Sequence, residues 1–223
     1  MRRAARAIEY GSCFLALLAA ALHPSCAHAP KEPSVAPTTV VAPRVAGEVS
    51  DLGAVHPGKY RASTPLPLLQ HWKQPGAAPT EIGRAYAGFS AEGLSLYTYL
   101  EDSDIFSAAD ADELPMPALG DVVEFFVKPG VERSDYWEVH VTPNDFLLDI
   151  HILDRAQISK GGGITWEQVV PFTAAASAAR RRVTVSEGSW AVELIIPWSA
   201  FGLKQPPEAG TVWQFAVCRF NYT

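Results

Sequence analysis

The chain has 223 residues, 48% hydrophobic and 19% charged. That length suits one domain with appendages, and the apolar share is too high for a disordered chain. A net charge of −6 argues against nucleic-acid binding, which needs clustered cations, and three cysteines exclude a disulfide-dense scaffold and a four-cysteine zinc site.

Residues 1–27 read as a secretory leader. Arg2, Arg3 and Arg6 form a basic start, and Cys13 to Leu22 is an apolar run of ten residues. A bilayer core of roughly 30 Å needs about 20, so this run does not span. Ser25-Cys26-Ala27 has the small-x-small form, which favours a cut after Ala27. Ala27-His28-Ala29 has the same form but would leave Pro30 after the cut. A lipoprotein cut before Cys26 is disfavoured by His23, which stands where Leu is wanted. Cleavage after Ala27 leaves 15 cations against 23 anions and Cys218 as the lone cysteine. A secreted or periplasmic, monomeric protein is expected, held by its core or by bound metal rather than by disulfides.

Residues 28–47 contain four prolines and no periodic apolar face. They read as an extended tether, with a folded domain over 48–223. Beyond residue 80 short segments alternate with period two. They are Leu94–Leu100, Asp121–Val127, Tyr136–Thr142, Phe146–Ile152, Arg182–Ser186, Trp190–Ile196 and Val212–Phe220. β-Branched and aromatic residues fill them, and Gly, Pro, Asn and Asp bound them. Strands at this spacing without intervening helices predict an all-β fold, an antiparallel β-sandwich. Helical turns are expected within Ser107–Ala118 and around Phe172–Ala179.

Tyr136–Ile152 predicts a hairpin. With Asn144-Asp145 as a two-residue turn, His140 faces Asp149 and Glu138 faces His151. Trp137, Val139 and Val141 would then share the inner face with Leu148, Ile150 and Ile152. Tyr136, Glu138, His140, Asp149 and His151 would form a polar outer face, either a binding surface or a solvated one.

Four segments carry a resemblance. Asp121-Val-Val-Glu124-Phe-Phe126, Tyr136-Trp-Glu138-Val-His140-Val-Thr-Pro143, Gly188-Ser-Trp190-Ala-Val-Glu193-Leu-Ile-Ile-Pro197-Trp198 and Arg219-Phe-Asn221-Tyr222 occur in that order. Over residues 80–223 the chain resembles the family 9 carbohydrate-binding modules and their looser relatives. The resemblance implies an immunoglobulin-like or jelly-roll sandwich whose last strands would follow Thr223. It also implies binding of a polysaccharide or oligosaccharide, often with structural calcium, beside secreted polysaccharide-degrading enzymes. Glu124 stands at a sugar-bonding position of that family, and Glu138 where its sugar-binding members place Arg. The two aromatic planes that clamp the sugar there have no counterpart before Asp121 or after Asn221. Tyr136, Glu138, His140 and Trp166 complete the candidate carbohydrate-binding set.

Six carboxylates in 101–113 make an acidic loop in which Asp102 and Asp104 are candidate calcium ligands. A metal bridging His140 and His151 lacks a third ligand, and haem would need Met116 with a His. The sequence contains no nucleophile elbow, no zinc-protease helix motif and no phosphate loop. No catalytic residue is assigned and no cofactor is required. The expected function is a secreted, non-catalytic carbohydrate-binding module. The alternatives are a structural or protein-interaction sandwich that has lost sugar binding, and a glycoside hydrolase using Glu124 and Glu138.

Overall fold

The computed structural model describes residues 39–45, 51–68, 79, 81–154, 165–173 and 175–222. The leader 1–27 and the tether up to residue 38 lie outside the described residues. Among the described residues no helix is long and apolar enough to cross a membrane.

Among the described residues nine strands form two antiparallel sheets. The first sheet has the order β1 (Leu66–Pro67), β2 (Gly83–Phe89), β3 (Gly93–Glu101), β8 (Ser189–Pro197), β7 (Arg180–Ser186). The second has the order β6 (Leu147–Ile152), β5 (Tyr136–Val141), β4 (Val122–Lys128), β9 (Gln214–Phe220). The all-β sandwich expected from the alternation is what the chain forms. Leu96 and Leu100 of β3 and Trp190, Val192, Leu194 and Ile196 of β8 point inward from the first sheet. Val123, Phe125 and Val127 of β4 and Trp137, Val139 and Val141 of β5 meet them from the second. Each of these residues is an alternate position of its strand, so one pleat face carries the core.

Two strands escaped the sequence reading. β1 is two residues long, and β2 reads Gly-Arg-Ala-Tyr-Ala-Gly-Phe, whose small residues lack strand propensity. β2 is held by its place beside β3, with Tyr86 opposite Tyr97 and Ala87 opposite Leu96. The tether ends earlier than expected. The Val45 amide donates to the Phe89 carbonyl (2.8 Å) and the Phe89 amide to the Pro43 carbonyl (3.0 Å). Pro43–Val45 therefore lines the β2 edge, and the folded part begins before Glu48.

The β5–β6 register differs from the expected one. Tyr136 pairs with Ile152, Glu138 with Ile150, Val139 with Asp149 and His140 with Leu148. The cause is a three-residue loop, Pro143-Asn144-Asp145. Asp145 sits at φ 66, a left-handed conformation that Asp tolerates better than most residues. The Thr142 amide donates to the Phe146 carbonyl (3.0 Å), and the Thr142 hydroxyl takes the Phe146 amide (3.0 Å). A slip of one residue turns every β6 side chain over. Leu148, Ile150 and Ile152 therefore lie on the outer face with Glu138 and His140, and Asp149 and His151 lie on the other face.

The apolar outer face of β6 needs a cover. Ala109, Leu114, Met116 and Leu119 supply one part, and Trp166, Val169 and Phe172 the other. Met116 stands on a 3-10 turn at Met116–Ala118, within the segment where a helical turn was expected. Trp166 and Val169 stand on a short helix α1 (Trp166–Val169) that the sequence reading did not expect, and Phe172 on a 3-10 turn at Val170–Phe172 that meets only the start of the expected Phe172–Ala179 region. Gly120 lets the first cover lie close. At φ 145 it passes so near Phe106 that a Cβ would stand 2.4 Å from the Phe106 carbonyl oxygen. The cover also protects the sheet edge, since the Leu147 amide donates to Asp112 Oδ1 at 2.7 Å.

Candidate functional site

Strand alternation decides which side chains face out of the second sheet. With Val123, Phe125 and Val127 in the core, Glu124 and Phe126 turn outward. With Trp137, Val139 and Val141 inward, Tyr136, Glu138 and His140 turn outward. Register then assembles them. Cys218, Glu124, His140 and Leu148 form one row across β9, β4, β5 and β6, and Ala216, Phe126, Glu138 and Ile150 form the next. Three residues of the expected sugar set are thus brought together from two strands.

His140 Nε2 lies 3.4 Å from Glu124 Oε1 and 3.7 Å from Glu138 Oε2. Glu124 and His140 are each 5% exposed and Glu138 is 1% exposed. Among the described residues, Glu138 Oε1 and His140 Nδ1 have no hydrogen-bond partner. Burial pushes the Glu124 carboxyl up to about 7, the Glu138 charge adds to the rise, and His140 opposes it. Burial by itself would lower His140, but the carboxylates of Glu124, Glu138 and Asp149 outweigh it and raise the imidazole. Glu124 therefore keeps part of its proton near neutral pH.

The other expected site residues fall nearby or elsewhere. Tyr136 is on the same outer face, one row beyond Glu138, and packs with the β6 apolar cluster. Trp166 is half-buried in that cluster, as cover for β6. His151 is not on this face: it stacks flat on Trp137, with centroids 4.3 Å apart, and its Nε2 is 3.3 Å from Asp135 Oδ2. Asp149 accepts hydrogen bonds from the Ser177 amide (2.9 Å) and hydroxyl (2.7 Å). The opposite facing of His140 and His151 removes the bridging metal. Met116 is buried among Val122 and Leu148 in the cover's apolar cluster.

One residue of this face went unread in the sequence. Phe126 is half-buried, shares its row with Glu138, and its ring centroid lies 6.5 Å from that of His140. Its signal was the two-residue step from Glu124, which puts both on one face. It supplies an aromatic surface beside Glu138.

The quoted motifs divide into face and frame. Asp121 accepts hydrogen bonds from the Phe106 and Tyr222 amides, both 2.6 Å, and so ties the start of β4 to the end of β9. Arg219 reaches Asp102 Oδ2 at 3.0 Å, Glu81 Oε2 at 3.1 Å and the Glu101 carbonyl. Asn221 also donates to Glu81 (2.9 Å). Calcium does not fit this arrangement. Asp102 is 2% exposed and already faces the Arg219 guanidinium, whose charge repels a cation, while Asp104 is exposed and turns its amide onto Asp102 Oδ1 (2.9 Å). Among the described residues no group of three or more His, Cys, Asp or Glu is arranged to hold a metal ion.

Comparison with known proteins agrees with this architecture. A family 9 carbohydrate-binding module from Caldicellulosiruptor kristjanssonii, solved in complex with cellotriose, is similar at 15% identity. The match has a TM-score of 0.52 and covers 79% of this chain and 73% of that one. The same module in complex with glucose gives 14% identity and a TM-score of 0.53, over 79% and 74%. A candidate carbohydrate-binding protein from Bacteroides uniformis gives 15% identity and a TM-score of 0.52, over 72% of each chain. No protein-family model and no curated relative matches the chain. At such identities the likeness is one of fold. The chain has the two-sheet sandwich of the family 9 carbohydrate-binding modules.

Proposed function

We propose that this protein is a secreted, non-catalytic carbohydrate-binding module that serves beside polysaccharide-degrading enzymes. The observation that carries the reading is the Glu124–His140–Glu138 group, set next to Phe126 on the outer face of a sandwich shared with modules solved on cellotriose and glucose. Carboxylates accept hydrogen bonds from sugar hydroxyls, and an aromatic ring takes the apolar C–H side of a pyranose. The leader at 1–27 supports export.

Binding of small neutral sugars should be weak. Hydroxyl hydrogen bonds replace those to water, so each adds a net of about 0.5–1.5 kcal/mol. With one phenyl ring beside the carboxylates among the described residues, the dissociation constant for glucose, cellobiose or xylobiose is expected near or above about 1 mM. Calorimetric titration checks this, and Glu124→Ala should abolish it. An equally tight Glu124→Ala variant would move the site off this face. Release of reducing ends from soluble polysaccharides would contradict the non-catalytic reading.

A further inference from the structure

The outer face of the second sheet is short of positive charge. Glu124 and Glu138 flank a single imidazole, and His140 lies beyond ordinary hydrogen-bond length of Glu138 at 3.7 Å. Glu138 is 1% exposed, yet among the described residues its Oε1 has no hydrogen-bond partner. A buried carboxylate oxygen without a donor is costly, and the cost falls when a ligand brings an N–H. The other outer face shows how such a residue is completed within the chain. There Glu193 is also buried, and its Oε1 receives both the Lys59 ammonium and the Tyr60 hydroxyl. Among the described residues no lysine or arginine makes an ion pair with Glu124 or Glu138. The side toward β9 is less covered, because Phe126, Ala216 and Cys218 are half-buried. Those residues adjoin Glu124 and Glu138 in the two rows, so a ligand would approach from there.

We propose that the ligand of this face is a cationic sugar, a hexosamine unit with a free protonated amine, whose ammonium is taken by Glu124 and Glu138 while Phe126 receives the pyranose ring. This rests on the sugar-binding reading above and sharpens it to a substrate class. An ammonium brings three donors and a full charge, so it supplies the missing partner of Glu138 Oε1 and a second one for Glu124. An N-acetylated or hydroxyl-bearing unit brings hydrogen bonds but no charge. The raised Glu124 carboxyl fits the same logic, since a bound cation would lower it and drive a proton off.

Three disaccharides with one linkage and different C2 groups make the test: the β-1,4 dimer of glucosamine, its di-N-acetyl form, and cellobiose. Calorimetry at about pH 6 keeps an amine of ordinary basicity charged. The amine dimer should bind at least about tenfold more tightly than the other two. That preference should shrink as ionic strength rises from about 0.05 to 0.5 M. Glu138→Gln should bring the three ligands within roughly threefold, well under the 1.4 kcal/mol of a tenfold preference. If that variant fails to fold, the salt series on the unaltered chain decides. Equal affinities, or a preference for cellobiose, would overturn the inference and leave the sugar reading standing. A preference that both Glu138→Gln and Glu124→Gln retain would assign it to the chain's general negative charge and overturn it as well. Absence of binding by all three, with the chain folded, would remove the sugar reading and this inference with it.

Discussion

The two outer faces of the sandwich solve the same problem differently. Each sheet buries carboxylate on its outer side, Glu193 on β8 and Glu124 with Glu138 on β4 and β5. Over β8, residues 51–63 lay down a cover that brings its own chemistry. Lys59 and Tyr60 meet Glu193, the Tyr97 hydroxyl donates to the Ala54 carbonyl (2.7 Å), and the Tyr86 hydroxyl donates to the Val55 carbonyl (2.8 Å). Tyr60 stacks on Tyr97 with centroids 5.7 Å apart. Burial, then the Glu193 charge, pushes the Tyr60 phenol far up. Over β4, β5 and β6 the cover is apolar, and it leaves Phe126, Ala216 and Cys218 only half-buried. The recess of about 290 Å³ beside Tyr60 and Tyr86 is therefore part of a completed face, because both rings are buried. A face whose charges are answered from within the chain is frame. A face whose carboxylates lack donors among the described residues is where the proposed ligand would act.

The largest expected effect breaks the completed face. Lys59→Met leaves Glu193 buried beside Tyr60 without its cation and should cost about 3–5 kcal/mol in denaturant unfolding. On the other face Glu138→Gln removes a charge that no described lysine or arginine answers, and its cost should stay within about 1 kcal/mol. Equal losses would show that the two faces are alike. Next comes the layer both faces share. Leu194 is fully buried in the central core, and Leu194→Ala should cost about 2–5 kcal/mol by lost burial and a cavity. An unchanged melting midpoint would remove it from the core.

A smaller effect is read from pH. Glu124 is raised above its unfolded value, so ionising it opposes folding, and stability falls as pH rises from the ordinary carboxylate range through about 7. His140 is also raised, so the stability from its cation is present below its unfolded value and lost as pH climbs past the folded one. Glu113 and Asp149, raised first by burial, act in the same direction as Glu124. Glu81 and Asp135 act oppositely: they are lowered, and stability is lost as pH falls through their folded values. The melting midpoint should therefore drop between about pH 5.5 and 8, by at least the 2–4 °C that roughly 1 kcal/mol is worth in a domain of this size. Glu124→Gln should flatten the drop, and a midpoint rising over that range would contradict the arrangement of the trio. Calcium should have the least effect, because Arg219 already neutralises Asp102. A midpoint that clearly rises with calcium and falls with chelator would place the ion on other oxygens of residues 101–113.

Alternation by itself determined most of the sandwich. Each pattern was local: Leu94, Leu96 and Leu100 along β3 and Trp190 to Ile196 along β8 announce their inner face whatever lies across from them. The pairing of Glu124 with its neighbours was half legible, since β4 and β5 each showed a polar face by period two. What the tertiary structure alone decided was how the faces combine. A single left-handed Asp145 lengthened the hairpin loop by one residue, which sent Asp149 and His151 to one side and left Glu138 and His140 beside Leu148 and Ile150. Whether β2 is a strand depended on β3, because its glycines and alanines carry almost no preference of their own. Whether a buried carboxylate is frame or site depended on residues more than a hundred positions away, Lys59 and Tyr60 for Glu193 and Arg219 for Asp102. Such partners leave no periodic trace. Charge pairing acts through space, and only the folded chain brings the pairs into reach.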